Sequence, residues 1–176
     1  MVSFNSQSPR SPKSWQQNFV SHLSELIQHD LNNSTARAFH AFLFAIETAM
    51  RAGEIVGLRT KDINFEKRFV RLPMTKNGTS RDVPLSSEAM RLIEELPKSD
   101  PVFNLSSPLL DALWRKLRDR AAVIDLRFHD SRHEAITRLA RKLDVLDLAR
   151  MVGHRDLKML MIYYNATAEE LAKRLD

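Results

Sequence analysis

Six ionisable side chains stand where their type and setting could do chemistry: Arg51, Lys76, His129, Arg132, His154 and Tyr163. Arg51 follows the most apolar segment of the chain and precedes Ala52-Gly53-Glu54. An arginine ending a core helix is held by a carboxylate or faces a cleft. The plainer alternative is a helix-terminal cation favoured by the macrodipole. His129 and Arg132 are three apart at the start of a helical stretch, so they share a face. A guanidinium offers a planar fork for phosphate oxygens, and an imidazole moves a proton near neutral pH; solvated polar groups on a first turn are the alternative. His154 follows Gly153 at a helix end, where a C-cap histidine would be ordinary. Tyr163-Tyr164 follows a methionine-rich turn, Met159-Leu160-Met161-Ile162, and a lone tyrosine is usually a core aromatic. Lys76 sits on a hairpin tip, where lysine is ordinarily solvated.

Each signal is weak by itself. Together they form a set suited to phosphoryl transfer without a metal: cations clamp the transition-state charge and a tyrosine supplies the nucleophile. No Walker loop, acidic metal cluster or zinc spacing accompanies them. His133-Glu134 looks like the start of a zinc-protease motif, but position 137 is threonine, so a metal site is rejected there. No cofactor is expected.

The elements that must position these residues follow from periodicity. Residues 1–13 are rich in Ser, Pro and Asn and are expected to form a disordered tail. Residues 14–33 read as an N-terminal helix or linker remnant, with Trp15, Phe19, Leu23, Leu26 and Ile27 at helical spacing. Ser34 or Thr35 can cap a second helix, whose body Phe39–Ile46 is apolar on most sides and is expected to run through the core to about Met50. A short helix near Glu54–Leu58 follows. Arg68–Pro73 and Arg81–Leu85 alternate as strands do, and Asn77-Gly78 between them signals a hairpin. Ile63 and Phe65 suggest a third short strand. After Ser86 the chain reads helical: Ser86–Leu96, a stretch around Leu109–Leu117, another around Ile136–Leu143, one capped by Asp144 and ended by Gly153, and a last one from Thr167 through Leu175. The expected fold class is mixed, mainly α with a small antiparallel three-stranded β-sheet.

Composition sets the outer bounds. A chain of 176 residues suits one domain, and an apolar fraction of 43% suffices for a packed core. Lys and Arg total 27 against 22 Asp and Glu, a net charge of +5 that permits a nucleic-acid partner without demanding one. The absence of cysteine excludes disulfides, thiolate zinc sites and cysteine nucleophiles and fits a reducing cytoplasm. No apolar run approaches the ~18 residues of a membrane span, and no secretory h-region is present.

Several of these boxes, in this order, resemble the phage-integrase or tyrosine recombinase family. Thr48-Ala49-Met50-Arg51-Ala52-Gly53-Glu54 is similar to the family's first arginine box, and Leu58-Arg59-Thr60-Lys61-Asp62-Ile63 to its continuation into the sheet. Thr75-Lys76-Asn77-Gly78 looks like the β-hairpin lysine, Phe128–His133 like the His-x-x-Arg box and Val152-Gly153-His154 like the Leu-Gly-His box. Tyr163 lies nine residues after His154, the family's usual spacing to the nucleophile. Ala49, Ser131 and Glu134 depart from the usual residues, none at a carried-over catalytic position. The likeness runs from about Thr35 to Leu175.

The resemblance implies the catalytic-domain fold of the DNA breaking-rejoining enzymes over residues 34–176. It implies a site-specific recombinase or integrase that cleaves and rejoins double-stranded DNA through a 3′-phosphotyrosyl intermediate on Tyr163. Arg51 and Arg132 would hold the non-bridging oxygens, His154 would donate a further hydrogen bond, and Lys76 would protonate the departing 5′-oxygen. His129 would manage the tyrosine proton as base or positioning donor, and Glu54 would steady Arg51. No metal or ATP is required. The protein would assemble as a tetramer on DNA, be a monomer without it, and reside in the cytoplasm with the nucleoid. Only about 34 residues precede the homologous region, too few for the family's core-binding domain, so a complete one is not expected. Three alternatives stay open: a non-catalytic DNA-binding remnant or regulator, a type IB topoisomerase-like enzyme without site choice, and a helix-turn-helix regulator reading DNA with residues 129–152.

Overall fold

The computed structural model describes residues 30–73, 80–123, 125–154, 156–164, 166–173 and 175. The expected tail, nearly all of the first helix, and the hairpin tip with Lys76 lie outside them.

Helix α1, Ser34–Thr48, is the axis of the molecule. The Asn33 side chain, rather than that of Ser34 or Thr35, caps it by accepting the Thr35 N–H at 2.8 Å. Its apolar residues face nearly all directions, and Phe39, Phe42 and Phe44 are all buried. The helix stops two residues short of Met50, because Ala49 turns into the left-handed region at φ 55°. The Thr48 hydroxyl donates to the Phe44 carbonyl at 2.7 Å in the last turn.

A one-turn helix, α2 (Ala52–Val56), leads through a 3-10 turn at Thr60–Asp62 into the sheet. Strands β1 (Ile63–Asn64), β2 (Phe69–Leu72) and β3 (Arg81–Pro84) lie antiparallel in that order. Phe65 falls in the turn after β1, not in the strand. Val70 pairs with Val83 and with Ile63, so all three are buried on one face. On the other face Arg71 donates both arms of its fork to Asp82, at 2.9 and 2.8 Å.

Among the described residues six helices follow the sheet: α3 (Ser87–Glu94), α4 (Ser107–Arg120), α5 (Asp130–Leu139), α6 (Val145–Val152), the single turn α7 (Lys158–Met161) and a short α8 (Ala168–Ala172). Local chemistry explains their ends. The Ser86, Ser106 and Asp144 side chains accept first-turn N–H groups of α3, α4 and α6. Gly153 closes α6 at φ 69°.

The core has two parts. In the larger, Phe42 stacks on Trp114 with centroids 4.2 Å apart, and Phe128 meets both rings edge-on. The smaller joins Ala49, Ala135, Ile136, Leu148, Ala149, Val152 and Leu160, with Tyr163 and Tyr164 packed against it. It locks the end of α1 to α5, α6 and α7, the elements that carry the candidate site. No helix among the described residues is long and apolar enough to cross a membrane.

Candidate active site

The site is built where the ends of α1, α2, α5 and α6 converge. Arg51 is the N-cap residue of α2; its backbone N–H donates to Glu54 Oε2 at 2.8 Å and its guanidinium to Oε1 at 3.1 Å. Glu54 thus ties the Arg51 backbone and side chain together and leaves the arginine exposed. The same carboxylate takes two hydrogen bonds from Arg81 Nη2, at 2.9 and 2.8 Å. Burial pushes the Glu54 carboxyl up, but the Arg51 N–H and the Arg81 guanidinium outweigh it and hold the pKa below its ordinary value.

Two guanidiniums bridge these helix ends. Arg132, on the first turn of α5 and only 4% exposed, donates through Nη1 to the Ala49 carbonyl and through Nη2 to the Val152 carbonyl, the latter at 2.7 Å. These carbonyls end α1 and α6, where backbone oxygens lack helical partners. Arg81, the first residue of β3, joins the same two regions: its Nε donates to the Met151 carbonyl at 3.0 Å while Nη2 holds Glu54. Gly153 suits this place in two ways. Its φ is positive, and a Cβ would stand 3.1–3.2 Å from three Arg81 side-chain atoms. Burial, followed by the nearby charge of Arg51, pulls the Arg132 pKa down to about 10, so it stays a cation at neutral pH.

The imidazoles lie around this pair. His129 precedes α5, and its ring meets that of His133 edge-on, with centroids 5.2 Å apart. His154 follows Gly153, half-buried, its backbone N–H on the Ala149 carbonyl at 3.1 Å. Burial, then neighbouring positive groups, lowers both pKa values: His133 and Arg132 act on His129, and Arg132 and Arg51 on His154. Such mutual lowering marks a cationic cluster that favours an anion.

The two tyrosines part company. The Tyr164 hydroxyl donates to the Leu143 carbonyl at 2.8 Å, away from the arginines. The Tyr163 hydroxyl lies 3.2 Å from His133 Nδ1. Burial raises the Tyr163 pKa and Arg132 opposes that rise, which places its ring within the arginine's field. The structure therefore gathers Arg51, Glu54, His129, Arg132, His154 and Tyr163 into one region, while Lys76 lies outside the described residues. Two members were not among the site residues expected from the sequence, Arg81 and His133. Both had a signal. Arg81 is two residues before inward-facing Val83, so strand alternation aims it inward, and His133 is one helical turn after His129.

Among the described residues no three His, Asp or Glu side chains are grouped to hold a metal ion.

Residues 17–170 match the Phage integrase family. A putative integrase/recombinase of Haemophilus influenzae is 43% identical over 175 residues, covering 96% of this chain and 57% of that protein. The shufflon-specific DNA recombinase of Escherichia coli is 41% identical over 139 residues, covering 77% of this chain and 36% of its own. The Tn1549 transposon integrase, solved in complex with circular intermediate DNA, is similar in structure with a TM-score of 0.71 at 18% identity, over 95% of this chain and 66% of that one. The catalytic domain of bacteriophage HP1 integrase has a TM-score of 0.56 at 17% identity, over 85% and 91%. The fold is thus the tyrosine recombinase catalytic-domain fold, mainly helical around a three-stranded antiparallel sheet. By sequence, this chain belongs to the phage integrase family. It spans little more than half of the first relative and about a third of the second.

Proposed function

We propose that this chain is the DNA-cleaving and rejoining part of a site-specific tyrosine recombinase, with Tyr163 as nucleophile. The observation that carries this is the gathering of Arg51, Arg132 and His154 in one cationic cluster with the Tyr163 ring in Arg132's field. The substrate is a phosphodiester of double-stranded DNA. Tyr163 Oη attacks phosphorus, the bond to the 5′-oxygen breaks, and a 3′-phosphotyrosyl link forms. The reverse attack by a 5′-hydroxyl rejoins the strand, so the energy of the phosphodiester is conserved.

The exposed Arg51 and the buried Arg132 hold the non-bridging oxygens. Arg132 uses two of the five guanidinium donors on carbonyls, which leaves donors for phosphate. His154 adds a hydrogen bond, Lys76 protonates the departing oxygen, His129 braces the His133 ring, and Glu54 holds Arg51. On DNA the protein works as a tetramer; without DNA it is a monomer, in the cytoplasm with the nucleoid.

The test is a nicked or phosphorothiolate suicide substrate taken from the DNA that flanks the chain's own genomic element. A detergent-resistant protein–DNA adduct is expected from the wild type and from Tyr164→Phe, and none from Tyr163→Phe. DNA binding without any adduct would point instead to a non-catalytic DNA-binding member of the family. Relaxation of a plasmid lacking the site would point to topoisomerase-like action.

A further inference from the structure

We propose that His133 takes the proton from the Tyr163 hydroxyl when the tyrosine attacks DNA, an assignment that rests on Tyr163 being the nucleophile. The geometry is direct: Tyr163 Oη stands 3.2 Å from His133 Nδ1. That separation is long for a hydrogen bond in full use, as catalytic hydrogen bonds commonly are before substrate binds. An unassisted phenol is protonated at neutral pH, and burial raises the Tyr163 pKa further, so attack needs an acceptor for the proton.

The surroundings fit an acceptor. His133 directly follows Arg132 on α5, so one helix turn presents the phosphate clamp and the proton acceptor to the same ring. The His129 ring braces the His133 ring edge-on at 5.2 Å. His133 is exposed, so water can solvate the imidazolium that forms when it takes the proton. The Tyr164 hydroxyl is turned to the Leu143 carbonyl instead.

His133 carries its proton on Nε2 and accepts the Tyr163 proton at Nδ1, becoming an imidazolium. The phenolate oxygen forms the bond to phosphorus as the bond to the 5′-oxygen breaks, and the departing oxygen takes a proton from a separate acid. On rejoining, the imidazolium returns its proton to the tyrosine.

The test measures single-turnover adduct formation on the suicide substrate for the wild type, His133→Ala, His133→Asn and His129→Ala, beside DNA affinity and melting temperature. His133→Ala is expected to slow adduct formation about a hundredfold, with DNA affinity and melting unchanged. Added imidazole should restore part of that rate. Asparagine can hold the tyrosine hydroxyl but cannot take its proton, so His133→Asn should stay slow. Wild-type rates in either His133 variant would overturn the assignment, as would a slow His133→Ala that imidazole does not relieve. A block in His129→Ala with wild-type rates in His133→Ala would move the proton to His129. An adduct that survives Tyr163→Phe would remove the nucleophile, and this assignment with it.

Discussion

Arg81 shows how much one side chain can decide. Its guanidinium meets both oxygens of Glu54 and the Met151 carbonyl, and it is about as buried as the carboxylate, at 9% and 10% side-chain exposure. Truncating it leaves a desolvated carboxylate with less charge to face. Breaking such a pair costs more than the pair contributes, because the remaining charge has lost its partner. Arg81→Ala should therefore lower the unfolding free energy by about 3 kcal/mol, read as a shift of the urea midpoint. The double variant Arg81→Ala/Glu54→Gln should lose less than the sum of the two single changes. Additive losses would show that the two groups do not act as a pair. At this scale the charges and the Arg51–Glu54 pair were legible in the sequence, but the partners of Arg81 were not. Arg51 and Glu54 are three residues apart, whereas Arg81 reaches Glu54 across 27 residues and Met151 across 70.

The end of α1 carries the next question. Ala49 adopts φ 55°, a left-handed conformation that favours glycine, and its carbonyl receives Arg132. Left-handed backbone costs a residue with a Cβ about 1–2 kcal/mol. Removing the buried methyl forfeits about 0.8 kcal/mol, and glycine adds a further unfolded-state penalty of about 0.5–1 kcal/mol. The terms nearly cancel, so Ala49→Gly is expected to change stability by less than about 1 kcal/mol. A calorimetric loss well beyond that would show that the methyl is a packing requirement of the smaller core. The elements themselves were largely readable. Alternation around Val70 and Val83 marked the strands, and Ser86, Asp144 and Gly153 marked helix ends. The short pieces were less so. Phe65 was expected in a strand and lies in a turn, since two-residue strands carry too little alternation to place an end.

For the molecule as a whole, the burial of three histidines sets a pH dependence. His40, His129 and His154 all have pKa values lowered below the ordinary 6.5, in each case mainly by burial. Their unfolded forms take up protons first as pH falls. The stability they contribute is present above pH 6.5 and is lost as pH drops through that value toward the folded pKa values. Glu54 acts in the same direction lower down, where its depressed pKa lies under the ordinary 4.5. The urea midpoint should therefore fall between pH 7.5 and 5.5. Under the proposed function, which puts a DNA phosphate beside His154, bound DNA should reduce that fall, because the phosphate would favour the charged imidazole. A midpoint that rises or stays level over this range would contradict the burial of these histidines.

Read alone, the chain determined its periods, its caps and the order of its polar boxes, because each depends on neighbours within a turn or two. It therefore disclosed a helical fold with a small sheet, and it raised the expectation of a phosphoryl-transfer site. Only the tertiary structure decided which groups meet. The Tyr163 hydroxyl finds His133 across 30 residues, and Arg132 finds the ends of α1 and α6 across 83 and 20. Those meetings depend on how α5, α6 and α7 rotate and pack against the smaller core. A single helical turn of ambiguity separates His129 from His133, and packing against that core resolves it.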